Sequence, residues 1–301
     1  MVNLDKVSKF IISDFSFHVP AGECVGIIGA SGAGKTTLLK LICGLLEPEK
    51  GYVRILGKEP IAEKQHYGKK VSAFFAGRWA FEDSDTVKQA FEMLRVVYHL
   101  PVEEFEAQYR ELSQRLSFEE YEDKALKSLS LGQRMRAELA GTLIGNPRLI
   151  LLDEPGVGLD ENGKMVLWEL IQQRCRSGAT VLIASHSLSE LSRICTRMVL
   201  LEKGKLLYYG SEKYLLNKYA AQGTIELTVS DGFPDLEDLP VRSYEMDGQQ
   251  LRISYNINHL SAAEILNVIL SQSRVEEVIV KRPELADIIL RMKGEKGYES
   301  D

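Results

Sequence analysis

Gly29-Ala30-Ser31-Gly32-Ala33-Gly34-Lys35-Thr36 is the stretch that decides the fold. The apolar run Cys24-Val25-Gly26-Ile27-Ile28 leads into it, and Leu38, Leu39, Ile42 and Cys43 follow at the spacing of a buried helical stripe. The order is therefore strand, glycine-rich loop, helix. Gly29, Gly32 and Gly34 allow the tight backbone path that turns amide N–H groups, and the positive end of the next helix, onto one anion. Ser31 lies within the loop; Lys35 is placed to reach β- and γ-phosphates, Thr36 to offer its hydroxyl to Mg2+, and Thr37 to donate to an α-phosphate. A G-x-x-x-x-G-K-[S/T] pattern arises by chance in on the order of one chain in a hundred of this size. The flanking strand and helix, and a second acidic motif downstream, are independent requirements that chance does not supply.

That second motif is Leu149-Ile150-Leu151-Leu152-Asp153-Glu154. Gly145, Asn146 and Pro147 break any preceding helix, so Arg148 to Glu154 reads as an apolar strand carrying two carboxylates at its C-terminal end, where sites of α/β sheets lie. Asp153 suits Mg2+ held through its water shell, and Glu154 suits a general base acting on water. Between the two motifs, Leu129-Ser130-Leu131-Gly132-Gln133 opens a helix whose buried stripe includes Met135, Leu139 and Leu143. The residues alone leave Ser130 either as an ordinary N-cap or as a group aimed, with the amides around Gly132, at a phosphate.

LSLGQ, LDEP, GLD and SH, in that order after a phosphate loop, resemble the motifs of ATP-binding cassette (ABC) ATPases over roughly Val2 to Gly210. LSLGQRMRAELA followed by LILLDEPGVGLD is similar to the ATPase subunits of bacterial exporters whose membrane domains are separate chains; Leu131 in place of the commoner glycine is familiar in that branch. The resemblance implies an α/β P-loop NTPase fold, with a mixed sheet core and a helical subdomain, that binds ATP and Mg2+. It implies a head-to-tail dimer, as a homodimer or with a paired ATPase subunit, in which Ser130, Gly132 and Gln133 of one copy meet the nucleotide on the phosphate loop of the other. Asp160 falls in the loop that crosses that interface, and His186, after the strand Thr180-Val181-Leu182-Ile183-Ala184-Ser185, falls where the family places a histidine against the γ-phosphate. Phe10 stands where the family stacks an aromatic on adenine; read from the residues, it is equally a core partner of Phe15 and Phe17.

The main departure lies in Val71-Ser72-Ala73-Phe74-Phe75-Ala76-Gly77-Arg78, which resembles the strand and loop that usually carry a glutamine. Gly77 takes that place, and Gln65 and Gln89 are too far away to be simple displacements. The expectation is slow hydrolysis, or coupling through Arg78, Trp79 or water. Gly156, where the family often has Thr, is a milder change. Val87, Phe91, Leu94, Val97 and Tyr98 form one helical stripe, and Phe105, Tyr109, Leu112 and Leu116 another. They suit the family's helical subdomain, here about 86–145, with a permease docking near Arg78 to Val87 through charges such as Glu82 and Asp83.

The nucleotide-binding domain is assigned to 1–220 and a small α+β accessory domain to 221–301, with strand pattern at Ile225, Leu227 and Val229, a hairpin across Asp247-Gly248, a Ser261/Glu264 capping box, a strand Val275 to Lys281 and a helix from Pro283 through Met292. The 301 residues, 45% hydrophobic, suffice for two cores. Cys24, Cys43, Cys175 and Cys195 are scattered, without metal-ligand spacing, which suits a reducing compartment. A leader and a run of about 18 apolar residues are both missing from the pattern. The expected location is cytoplasmic, peripheral on the inner face of the membrane through separately encoded permease subunits. Net charge −6 and pI 5.6 give no support to nucleic-acid binding. Two other readings stand beside a transporter motor: a soluble ABC-type ATPase acting on DNA or ribosomes, and a low-activity nucleotide sensor. The first usually needs a long coiled coil or two cassettes; Ser130 lies fewer than a hundred residues past Lys35, and one phosphate loop is present.

Overall fold

The computed structural model describes residues 1–62, 67, 70–76, 81–219, 221–230, 232–236, 239–281, 288, 292 and 299–300. It divides into two compact units, Met1–Gly210 with Tyr298–Asp301, and Ser211–Gly297.

In the first unit, β1 (Val2–Lys9), β2 (Ile12–Val19) and β4 (Lys50–Ile55) form an antiparallel sheet in the order β2-β1-β4. Register shifts accompany positive φ at Lys6 and Asp14, and they keep Val7 and Phe15 on the buried face where strict alternation would turn them out. A second sheet is built on parallel pairs. β3 (Cys24–Ile28) lies between β7 (Thr180–Ser185) and β8 (Arg197–Glu202), and β6 (Leu149–Asp153) lies between β7 and β5 (Val71–Phe75). Every residue of β3, β6 and β7 is buried, as parallel strands covered on both faces require. Helix α1 (Lys35–Ile42) covers one side with Leu38, Leu39, Leu41 and Ile42, in a core that also takes in Phe15, Phe17 and Leu182.

The helical region contains α2 (Val87–Val97), α3 (Val102–Arg115) and α4 (Leu131–Leu143). Phe91, Tyr109 and Phe118 pack as an aromatic cluster, Phe91 stacked on Phe118 at 5.4 Å and edge-on to Tyr109 at 5.0 Å. Val97 is a correction to the expected stripe: it is 63% exposed. One position before half-buried Tyr98 it sits about 100° around the helix, on the solvent side with Met93 and Val96. After β6 come α5 (Glu161–Arg176), β7, the short α6 (Leu188–Leu191), and the hairpin of β8 and β9 (Lys205–Ser211). The cysteines are less scattered than their sequence spacing implies. Free Cys24 and Cys195 bring their sulfurs within 3.5 Å.

The second unit begins with α7 (Glu212–Tyr219). β10 (Gln222–Val229), β11 (Ser243–Asp247), β12 (Gln250–Asn256) and β13 (Val275–Lys281) make an antiparallel sheet in the order β11-β12-β10-β13. The helix α8 (Ala262–Gln272), opened by the Ser261/Glu264 capping box, buries Ile265 and Ile269 against Ile225, Leu227, Leu251 and Ile253. Of the expected last helix, Ile288 and Met292 are buried, while Pro283, Leu285 and Ile289 lie outside the described residues.

Gly204, in the turn between β8 and β9, ties the two sheets of the first unit to the glycine-rich loop. Its N–H donates to the Ala33 carbonyl at 2.8 Å, and its carbonyl accepts from Ser13 N–H at 3.1 Å. A Cβ at this position, φ +77, would fall 1.7 Å from the Ile11 carbonyl oxygen. Gly204→Ala is therefore expected to cost about 2–3 kcal/mol, read as a lowered thermal unfolding midpoint, and to weaken nucleotide binding with it. A parent-like melt would show that this clamp is dispensable.

Candidate functional site

β3, β6 and β7 end together. Their register sets Ile28 beside Ser185 and Asp153 beside Ala184, so the glycine-rich loop, the Asp153-Glu154 pair and His186 leave one edge of one sheet. A concavity of about 290 Å³ forms there, lined by Ile11, residues 31–37, Asp153 and Glu154. Gly34, at φ +110, is the N-cap of α1, and no side chain caps it. The helix's first N–H groups have no intrahelical acceptor, which leaves them, with the helix dipole, facing the concavity as an anion cradle.

The charged groups are held in place by short contacts. Lys35 is buried, its Nζ donating to the Gly29 carbonyl at 2.8 Å and lying 3.5 Å from Glu154 Oε1. Thr36 Oγ1 donates to Asp153 Oδ2 at 2.6 Å. Burial pushes the Asp153 carboxyl up; the Thr36 hydroxyl opposes this, and the neighbouring Glu154 charge adds to it. Asp153 Oδ1 is buried and finds no hydrogen-bond partner among the described residues. A desolvated carboxylate with a spare oxygen beside a hydroxyl is the donor set a hard divalent cation takes, so Thr36 and Asp153 fit Mg2+. Glu154 Oε2 lies 2.9 Å from His186 Nδ1. Glu154 itself adopts φ +50, and its N–H donates to the Ala184 carbonyl at 2.8 Å.

The expected signature residues gather elsewhere. Ser130 caps α4: its Oγ accepts from Gln133 N–H at 3.3 Å, and Gln133 Oε1 accepts from Ser130 N–H at 3.0 Å. Gly132 is pressed against the Gly158 carbonyl, which would lie 2.9 Å from a Cβ. Asp160 caps α5 through Gly163 N–H at 2.9 Å and pairs with Arg136 Nη2 at 2.6 Å. None of Ser130, Gly132, Gln133 and Asp160 lines the concavity of the same chain. Ser130 is exposed, and Leu131 and Val157, flanking the Gly132–Gly158 contact, are 64% and 47% exposed. An apolar rim beside an uncovered serine is a surface suited to another protein.

One expectation changes. Phe10 is not a core partner of Phe15 and Phe17: those two pack edge-on in the core, whereas Phe10 occupies the β1–β2 turn at φ +51 and is 72% exposed, with Lys9 Nζ 4.9 Å from its ring centroid. Asp83 is engaged within the chain, 3.1 Å from Arg134 Nη1, and Arg134 Nε donates to buried Glu138 at 2.9 Å. Gln89 completes the capping box of α2 with Thr86. Gly77, Arg78, Trp79 and Gln65 lie outside the described residues. Sequence reasoning missed Ile11, Arg136 and Glu138. Only Glu138, a carboxylate within the buried face of Met135, Leu139 and Leu143, carried a signal in the sequence.

The profile of the ABC transporter family matches residues 12–157. The chain is 32% identical over 200 residues to the ABC transporter ATP-binding protein NatA of Bacillus subtilis, covering 66% of this chain and 81% of that protein. It is 27% identical over 288 residues to the Nod factor export ATP-binding protein I of Burkholderia thailandensis, covering 95% and 93%. A solved ATP-binding cassette, a dimer in a post-hydrolysis state with ADP and Pi, shares the fold at TM-score 0.64 and 24% identity, covering 70% of this chain and 99% of that one. With the phosphate loop, the paired carboxylates and the histidine at one sheet edge, these likenesses establish that the chain belongs to the ABC transporter family, as an ATP-hydrolysing, ATP-binding subunit.

Proposed function

We propose that this subunit drives an exporter whose membrane domains are separate chains, and that two copies, or one copy and a paired ATPase, close head to tail over two ATP molecules. The observation that carries the reading is the separation of the two half-sites: Lys35, Thr36, Asp153, Glu154 and His186 line or adjoin one concavity, while Ser130 stands exposed away from it and Gly132 lies beside Ser130, outside that concavity. The capped Ser130 hydroxyl accepts from Gln133, and its own proton remains free to donate to a phosphate oxygen of the opposite copy. Leu131 and Val157 supply the apolar rim of that closure. Phe10, exposed in the β1–β2 turn, is proposed to stack on adenine.

Mg2+ held by Thr36 and Asp153 would neutralise triphosphate charge. The chain's own residues do the rest. Lys35 leaves its carbonyl contacts for the β- and γ-phosphates, and the amides of residues 32–36 accommodate the β-phosphate. Glu154, fixed by His186 at 2.9 Å and lying 3.5 Å from Lys35, takes a proton from water as the water oxygen bonds phosphorus and the bridging P–O bond breaks. His186 orients Glu154 and donates towards the γ-phosphate. Among the described residues no helix is long and apolar enough to cross a membrane. Attachment to the inner membrane face is therefore proposed to run through permease subunits. ATPase activity measured with and without a co-expressed membrane partner tests this reading. Stimulation supports a transporter motor, and indifference to every membrane partner favours a free-standing enzyme.

Three substitutions probe the site. Asp153→Asn removes a desolvated charge yet still accepts from Thr36, so the nucleotide-free chain should melt no lower than the parent while Mg2+-dependent ATPase falls about 100-fold or more; a clearly destabilised apo protein would contradict this. Glu154→Gln should slow hydrolysis about 10²- to 10⁴-fold and accumulate an ATP-bound dimer in sedimentation. Hydrolysis at the parent rate would remove Glu154 from the role of base. Gly77→Gln restores the amide the family usually carries there, and turnover should rise; an unchanged or lower rate would refute slow hydrolysis for want of that ligand.

A further inference from the structure

The accessory unit ends its sheet on an unusual strand. β13, seven residues reading Val275-Glu276-Glu277-Val278-Ile279-Val280-Lys281, is the outermost strand beside β10, and among the described residues no strand pairs with its other edge. Glu276 to Lys281 are all exposed, with Val278, Ile279 and Val280 at 39%, 43% and 47%. Unpaired among the described residues and free of proline, this edge offers its N–H and C=O groups as a template for another strand.

The order of charges along β13 selects the partner. Acidic residues sit towards its start and a lysine at its end, so antiparallel pairing with its own copy is complementary. Pairing with β10 sets Glu277 opposite Thr228, Ile279 opposite Glu226 and Lys281 opposite Thr224; Glu277, Ile279 and Lys281 thus share one face, and Val278 and Val280 share the other with Leu227 and Ile225. In a two-fold register centred on Ile279, Ile279 meets itself, Val278 meets Val280 on the apolar face, and Glu277 meets Lys281 on the polar face, the last two pairs occurring twice. The neighbouring in-phase register, centred on Val278, sets Glu277 against Ile279 and Val275 against Lys281. Lys281 is already oriented on this face by Glu226, which Arg252 also approaches at 3.7 Å.

We propose that β13 is a self-association edge, at which two copies of the chain pair antiparallel about Ile279 and join their accessory sheets into one. The two-fold axis is normal to the sheet, so α8 of each copy lies on the same side, and the interface is isologous. The pairing needs no nucleotide and stands whether or not the ATPase mechanism above is correct.

The test uses the full chain without nucleotide. Ile279→Cys should be captured as a covalent dimer by a short bis-maleimide, well above the parent with its four native cysteines and above Tyr244→Cys on the opposite edge strand β11. Glu277→Lys sets lysine against Lys281 in both symmetric pairs and should weaken self-association about tenfold in sedimentation. Lys281→Glu should do likewise, and the two variants mixed should associate heterotypically, since each then supplies the charge the other lacks. Capture of Ile279→Cys no greater than that of Tyr244→Cys, or a mixture that associates no better than the separate variants, overturns the proposal.

Discussion

Parallel pairing of three strands fixes everything else in the catalytic unit. Because β3 and β6 both hydrogen-bond to β7 in the same direction, their C-terminal ends reach one edge at one level. A glycine-rich loop, two carboxylates and a histidine, distant in sequence, thereby arrive within hydrogen-bond reach of one another. The complete burial of those strands makes the register costly to change: slipping one residue would drive the whole edge out of line and unpair ladder groups that have no access to water. The site is thus positioned by the least deformable part of the chain, and its variable parts are side chains.

Within that frame the polar contacts form a chain of compensations. Asp153 is desolvated, and the Thr36 hydroxyl offsets only part of that cost. Glu154 adopts a left-handed backbone conformation, worth about 1–3 kcal/mol of strain for a residue with a Cβ, which a hydrogen bond to Ala184 helps to hold. That turn of the backbone lets two consecutive residues face the same concavity, whereas an unbroken strand would send them to opposite faces. Lys35 approaches one of the carboxylates and His186 bonds the same one from the other side. The arrangement concentrates charge where a triphosphate and a cation would redistribute it.

Much of this was legible in the sequence because the signals were local. The glycine-rich loop, the apolar strands before Gly29 and Glu154, the helix opening at Ser130, the capping box at Ser261, and the strand Val275–Lys281 each depend on neighbours within a few residues. What stayed hidden was non-local. Phe10 could not be separated from the core aromatics Phe15 and Phe17 by spacing, because the bulges at Lys6 and Asp14 shift the alternation that spacing relies on. Val97 read as buried because an apolar residue at a stripe's margin carries no mark of which neighbour covers it. The pairing of Asp83 with Arg134, and of Arg136 with Asp160, joins side chains on separate elements whose approach only the assembled fold decides.

The clamp at Gly204 also bears on biosynthesis. The loop that carries Lys35 gets its Ala33 carbonyl satisfied by a residue that leaves the ribosome some 170 positions later, and β3 lies between strands that emerge only after residue 179. At ordinary elongation speeds of about 5–20 residues per second, roughly ten to thirty seconds separate translation of the lysine from completion of its cradle. During that interval the nascent β3, wholly apolar and without either of its sheet neighbours, is open to aggregation or to capture by a chaperone. An enzyme whose first chemical motif is synthesised early thus acquires its nucleotide site late, after nearly the entire catalytic unit has been made.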